Sequence, residues 1–261
     1  MLPALSADAE VVVTKVWPPV VRPLHVARDR SLALLRAGEG LRLTLVDAPA
    51  GSGKTTALAQ WFAADAGRRA GAWFSLDRSD NDPTRFWTYL ILAIREVAPG
   101  FGEAPLGAVR SGAEVETYVL PPLVNELAGL DTGLALVVDD FHLIVNPAIH
   151  AQVEQFLEHL PPSVQVVLAT RADPPLPLSR WRGRGELAEV RAAHLRFDPS
   201  EAGALLERMD IALGDDDVER LVARTEGWAA GLSMAGISMT GRDDPRAFVD
   251  AFTGTNRHVL D

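Results

Sequence analysis

Eight consecutive residues, Ala48-Pro49-Ala50-Gly51-Ser52-Gly53-Lys54-Thr55, place glycine, lysine and a hydroxyl at a spacing suited to holding phosphate. Gly51 and Gly53 can adopt backbone conformations closed to most residues, so the chain can curl until several N–H groups point at one anion. A helix starting near Lys54 adds the positive end of its dipole. In this reading Lys54 reaches the β- and γ-phosphates of a nucleotide as a point charge, and Thr55 offers its hydroxyl to Mg²⁺. Thr56 stands near the α-phosphate. Of 25 basic residues only Lys15 and Lys54 are lysines, so a chain that otherwise uses arginine keeps a compact ammonium here. An ordinary Gly/Ser turn is the alternative. The apolar strand expected just before the loop and the amphipathic helix just after it favour the phosphate reading.

A second acidic element lies about 85 residues on. Leu134–Asp140 (LALVVDD) is an apolar strand ending in two acids. Such a strand places Asp139 at the C-terminal edge of a parallel sheet, where α/β folds bind ligands. Asp139 is then expected to hold Mg²⁺ through its water shell, and Asp140 to orient or deprotonate an attacking water. Alone, two acids could simply cap a strand; beside the phosphate loop they complete a nucleotide site. The spacing leaves room for another strand, and the polar strand end Thr170-Arg171 points to the class of P-loop NTPase with an additional strand between the two motifs. Arg171 is the expected sensor of the γ-phosphate. No guanine-reading NKxD tetrapeptide occurs, which favours adenine.

The elements that must position these residues alternate. Strands are expected at Leu41–Asp47, Gly71–Leu76, Leu134–Val138, Val164–Thr170 and Leu187–Leu195. Helices are expected over about Lys54–Ala66, Asp82 to about Val97 with Asp82 as cap and Pro83 in the first turn, Glu114–Ala128 and Ala148–Leu160. Pro99–Gly112, rich in glycine and proline, reads as loop. This is an α/β pattern: a P-loop NTPase with a five-stranded, mostly parallel sheet covered by helices on both faces. Helices at Ser200–Arg208, Asp215–Thr225 and Trp228–Met239 form a small helical subdomain. The organisation is therefore an N-terminal segment, 1–30, flanking the nucleotide site, a core, 31–198, and a helical part, 199–261.

With 48% hydrophobic and 23% charged residues the 261-residue chain can bury a real core. It has no cysteine, which excludes disulfides, thiolate metal sites and a cysteine nucleophile. No apolar run approaches the ~20 residues of a membrane span, and the acidic first ten residues are no secretory signal, so a cytoplasmic protein is expected. The net charge of −10 without a basic run argues against direct DNA contact by this segment.

Five stretches together resemble one family: Asp47–Trp61, Ala72–Leu90, Leu134–Ile144, His159–Leu187 and Ala223–Leu232 (ARTEGWAAGL). They are similar to the ATP-binding domain of large, MalT-like LuxR-type transcription regulators, in the signal-transducing STAND branch of P-loop ATPases. The resemblance implies ATP or ADP with Mg²⁺ between the sheet and a following helical region, slow hydrolysis, and self-association of the ATP state. It also implies an inducer sensor and a DNA-binding module in a longer parent chain, neither of which lies within these residues. Asn256–Asp261 reads as an interrupted helix, as in a shortened domain. By the same analogy Arg22 and Pro23, with Leu24, flank the adenine, and Ala223–Leu232 lies near the nucleotide. A stand-alone catalytic ATPase, a small-molecule kinase and a non-hydrolysing fragment remain the alternatives.

Other features read as structural. Asp77, Asp80, Asn81 and Asp82 fail the EF-hand pattern and are expected to cap a helix. His142 and His150 lack a third ligand at metal spacing and read as surface or packing residues. Trp73, Phe86 and Trp87 are expected in the core, Trp228 within the helical subdomain, and the arginine cluster Arg180–Arg184 on a solvated loop.

Overall fold

A computed structural model describes residues 11–21, 26–241 and 244–252. The five strands are β1 (Leu43–Asp47), β2 (Ala70–Ser75), β3 (Leu134–Asp139), β4 (Val164–Thr170) and β5 (Leu187–Arg191). They form one sheet in the order β2-β3-β4-β1-β5, and every pairing is parallel. β4 lies between β1 and β3, which is the additional strand expected between the phosphate loop and the acidic pair. β3 and β4 are buried along their whole length, as near-continuous apolar runs in a doubly covered parallel sheet should be.

Helices α1 (Asp29–Ala37) and α2 (Lys54–Asp65) lie on one face; α3 (Pro83–Arg95), α4 (Glu103–Arg110), α5 (Leu120–Ala128) and α6 (Pro147–His159) lie on the other. The alternation of strand side chains separates the two cores. Leu43, Leu45, Phe74, Leu136 and Val166 join α3, α5 and α6, whereas Val46, Trp73, Val137 and Val167 join Leu35 of α1 and Leu58 and Trp61 of α2. Trp73, Phe86 and Trp87 are buried, as the sequence leads one to expect. Each such aromatic contributes on the order of 2–3 kcal/mol through burial.

The start of α3 shows how local chemistry sets an element. The Asp82 carboxylate accepts from the Arg85 amide at 2.8 Å, and Pro83 takes the first helical position, where no amide partner is needed. Asp77 caps the short turn before it. Asp80 does more than cap. Fully buried, it meets the ammonium of Lys15 and the guanidinium of Arg85, and Lys15 lies 4.5 Å from the centroid of the Tyr89 ring. Lys15 thereby fastens the N-terminal turn Val13–Val16 against β2 and α3.

Past β5, α8 (Pro199–Glu207), α9 (Asp215–Thr225), α10 (Ala229–Met239) and α11 (Pro245–Ala251) surround their own core of Leu206, Leu221, Leu232, Met239 and Val249, which Val26 also joins.

Several expectations are corrected. Pro99–Gly112 is not a loop but holds α4, because its breaking residues other than Gly107 lie outside the helix or in its first turn. Gly102 takes φ 69° just before the helix, and Pro105 occupies the first turn, where it forfeits no hydrogen bond. The single helix expected over Glu114–Ala128 is a π-helical turn, Val115–Val119, followed by α5, since Pro121 and Pro122 interrupt the amide ladder. β5 stops at Arg191 and gives way to a 3-10 turn over Ala192–Leu195. The arginine cluster belongs to α7 (Leu178–Gly183), where Trp181 is fully buried and Arg180 and Arg182 pair with Glu154 and Glu189.

Candidate phosphate and metal site

Parallel strands bring their C-terminal ends to one edge, and the candidate residues gather there. Asp47 ends β1 in register with Thr170 of β4 and Arg191 of β5, and Ser75 of β2 is in register with Asp139 of β3. Between β1 and α2, Gly51 and Gly53 take φ 70° and 83°, the left-handed conformations that let the loop fold over itself. Gly53 is the residue before α2, which begins at Lys54, so the first-turn amides of Lys54, Thr55 and Thr56 have no carbonyl one turn earlier within the helix. Ala48 and Ser52 are buried, Ala50, Gly53, Thr55 and Thr56 are half-buried, and Pro49 and Gly51 are exposed. Ser52 Oγ donates to Pro49 O at 2.7 Å and braces the turn.

The Lys54 ammonium is folded into this loop, donating to Ala48 O at 2.6 Å and Pro49 O at 3.0 Å. Burial, then the charge of Arg171, lowers its pKa, while Asp139, Asp140 and Asp47 act the other way. Thr55 Oγ1 donates to Asp139 Oδ2 at 2.7 Å, joining the phosphate loop to the acidic strand. Burial raises the Asp139 pKa against the opposing hydrogen bond from Thr55, with Asp140 adding to the rise. A buried ammonium and a buried carboxylate, each pushed toward neutrality, suit a polyanion and a hard cation respectively. The donor set therefore fits a nucleotide phosphate chain with Mg²⁺: curled amides and an ammonium for phosphate, a hydroxyl and a carboxylate for the metal.

Asp140 follows at φ 59°, a conformation aspartate tolerates better than most residues, and is half-exposed at the sheet edge. Arg171 is exposed one residue beyond Thr170, which is in register with Asp47, and its charge is among the causes that lower the Lys54 and His142 pKa values. Arg22 and Pro23, and Leu24 with them, lie outside the described residues.

Three residues belong here that the sequence reading placed elsewhere or passed over. His142, read as surface or packing, stands 3.8 Å by its Nδ1 from Asp140 Oδ1, and that nitrogen is buried without a hydrogen-bond partner among the described residues. Burial and the Arg171 charge lower its pKa, which favours the neutral imidazole. Arg28 is a buried cation whose Nη1 lies 3.8 Å from where a side chain on Gly53 would begin. It stacks 4.3 Å from the Phe197 ring centroid and donates to Arg196 O at 3.0 Å, tying the phosphate loop to the segment entering α8. Trp228, placed by its residue type within the helical subdomain, lies on the loop itself: its Nε1 donates to Ala50 O at 3.1 Å, and the Ala230 amide donates to Gly51 O at 3.0 Å.

That contact makes Gly51 doubly constrained. A Cβ there would stand 2.7 Å from Ala230 Cβ and 2.8 Å from the Trp228 ring, at a φ that other residues resist. Gly51→Ala is expected to destabilise the fold by about 2–4 kcal/mol from strain and overpacking together. Urea unfolding measures this; an unchanged midpoint would mean that neither the positive φ nor the Trp228 contact constrains residue 51 in solution. A cavity of about 470 Å³ opens beside the contact, lined by Pro49, Ala50, Leu195 and Trp228 with Arg196 and Glu226 at hand. A larger groove, about 610 Å³, lies between α8 and α9 and contains none of the loop or acidic-strand residues.

Comparisons with known proteins bear on the chain and its fold as a whole. No protein-family profile matches the chain. The transcriptional regulator MalT of Yersinia enterocolitica is 38% identical over 230 residues, which are 86% of this chain and 25% of that protein. The serine/threonine-protein kinase PknK of Mycobacterium tuberculosis is 35% identical over 249 residues, 93% of this chain and 22% of the kinase. The chain is homologous to the matched segments of MalT-type regulators and of PknK, and its fold is that of a P-loop NTPase. It spans about a quarter of the length of these curated relatives. Among solved structures, a STAND protein with a tetratricopeptide repeat sensor from Pyrococcus horikoshii superposes with a TM-score of 0.60 at 19% identity, over 90% of this chain and 33% of that one. A Walker-type ATPase of Pyrococcus abyssi gives 0.57 at 15% identity, over 89% of this chain and 73% of that one. These two likenesses concern the fold. Among the described residues no helix of this MalT-like domain is long and apolar enough to cross a membrane.

Proposed function

We propose that this domain is a nucleotide-controlled switch: it binds ATP and ADP with Mg²⁺, hydrolyses ATP slowly, and self-associates in the ATP state. The observation that carries the reading is the bond from Thr55 to Asp139 at the mouth of a loop that encloses Lys54. In it, Ala48–Thr55 and Thr56 cradle the phosphates and Lys54 holds the β- and γ-phosphates. Thr55 and Asp139 hold the metal, with Arg22 and Pro23 beside the adenine. When bound, Mg²⁺ draws charge from the phosphate oxygens and so eases departure of the terminal phosphate. Asp140 takes a proton from the attacking water, with the neutral His142 beside it, and Arg171 senses the γ-phosphate.

The two named relatives differ in activity, one a transcriptional regulator and the other a protein kinase, yet each contains this segment. That supports a shared regulatory module rather than the seat of either activity. In the longer protein, DNA binding and inducer sensing fall to other parts; this acidic segment touches no DNA, and the protein works in the cytoplasm. The division into 1–30, 31–198 and 199–261 belongs to the same proposal. In it the contacts of Trp228 and Arg28 report the state of the phosphate loop to the helical part.

Calorimetric titration with ATP and ADP, with and without Mg²⁺, tests the reading, together with a turnover assay. Micromolar binding and turnover well below about one per second are expected. No binding of either nucleotide would sink the proposal, and fast turnover would favour an enzyme whose purpose is the reaction itself.

A further inference from the structure

Arg191 ends β5 in register with Asp47, the residue just before the phosphate loop. Its Nη1 donates to the carboxylates of both Asp47 and Asp173, and its Nε donates to Glu189 at 3.1 Å. Asp173 lies two residues beyond Arg171. The same turn is braced from its other side by Thr170 Oγ1, which donates to Ala172 O at 2.8 Å. One guanidinium therefore clasps the base of the phosphate loop to the turn that carries the arginine beside the site. Without it, two carboxylates gathered around a single nitrogen would lose their shared counter-charge, and their repulsion would favour an outward shift of the turn.

The energetics separate positioning from stability. Asp173 is 56% exposed and Arg191 31% exposed, so the cluster is worth little to the folded state as a whole. Its geometric consequence is larger, because displacing a phosphate-contacting group by about 1 Å can cost far more than the contact that held it.

We propose that Arg191 is a positioning residue: anchored on Asp47 at the end of β1, it holds Arg171 beside the phosphate loop through Asp173, so that discrimination of ATP from ADP depends on it. The inference rests on the reading of Arg171 as the γ-phosphate sensor. In this role Arg191 acts through the two carboxylates rather than on the phosphate itself.

The test titrates Mg·ATP and ADP into the 261-residue chain and its variants. Arg191→Gln is expected to lower the ratio of ATP to ADP affinity by roughly tenfold, the scale of one charge-assisted hydrogen bond, with ADP affinity and melting temperature nearly unchanged. Asp173→Asn, which breaks the same clasp from the other side, is expected to give the same loss, and Arg191→Lys to recover part of it. Added to Arg171→Ala, Arg191→Gln should cost nothing further. An unchanged ratio in both Arg191→Gln and Asp173→Asn overturns the role, as does a further tenfold loss in the Arg171→Ala background. If Arg171→Ala itself leaves the ratio intact, the sensor reading fails and the positioning role with it. If the unaltered chain binds neither nucleotide, the nucleotide reading has failed first.

Discussion

Replacing Lys54 with alanine is expected to weaken ATP binding by about ten- to a hundredfold, measured by calorimetry with Mg²⁺ present. The magnitude follows from losing a charge-assisted bond worth about 1.5–3 kcal/mol. The residue is suited to that role for reasons visible in its surroundings. Its ammonium is buried, donating to the carbonyls of Ala48 and Pro49, and its pKa is depressed by burial and by Arg171. Two neutral carbonyls compensate a buried charge poorly, so a phosphate chain that takes their place gains most of the Coulombic attraction. The fold should tolerate the change, because alanine keeps the helix start and removes a costly charge. Thermal unfolding of the variant serves as the control. Unchanged affinity in a folded Lys54→Ala protein would refute the assignment of Ala48–Thr55 as the phosphate cradle.

What could be read in advance, and what could not, divides along a physical line. Val164–Thr170 and Asp215–Thr225 were legible to the residue, because their apolar spacing is local. The Gly51–Gly53 turn and the Asp82-Pro83 start were legible for the same reason. α4 was hidden because glycine and proline mark the ends of helices as readily as loops, and only Leu106 and Val109 seated in the core distinguish the two. Trp181 looked like part of a polar loop because three arginines surround it in sequence. In space, Glu154, Glu158 and Glu189 neutralise two of these, Arg180 and Arg182, and the indole turns inward.

The site divides the same way. Lys54, Thr55, Asp139 and Asp140 sit in motifs whose spacing announces them. The partner of Trp228 is Ala50, 178 residues away, and no periodicity in EGWAAGL indicates which of two surfaces the indole covers. Arg28 and His142 were missed because their significance is tertiary: one cation lying beside Gly53, and one imidazole folded back by the turn Phe141–Leu143 toward Asp140. A histidine two residues past a strand-ending acid pair is a signal that could have been weighed; an arginine 25 residues before a glycine is not. A burial-driven depression of a histidine pKa inside a charged site is the kind of feature only coordinates expose.

Asp140→Asn is the sharper probe of chemistry, because it changes a proton acceptor while leaving shape alone. Asparagine tolerates the left-handed conformation that Asp140 adopts at φ 59°, and the backbone bond from residue 140 to Asp139 Oδ1, 2.9 Å long, does not involve the altered side chain. The pair proposed to hold the metal, Thr55 and Asp139, is likewise untouched. ATP affinity is therefore expected to stay within about threefold, whereas turnover should fall by about 10²–10⁴, the range a general base contributes. Asp139→Asn should behave in the opposite order. It removes a buried carboxylate that receives the Thr55 hydroxyl, so the Mg²⁺ dependence of binding should weaken before any effect on the chemical step can be measured. Comparing the two variants by calorimetry and single-turnover hydrolysis separates the roles. If Asp140→Asn loses binding and turnover in equal proportion, residue 140 is holding the ligand rather than handling a proton. His142, whose nearest charged neighbour is then gone, would have to be considered as the group facing the water.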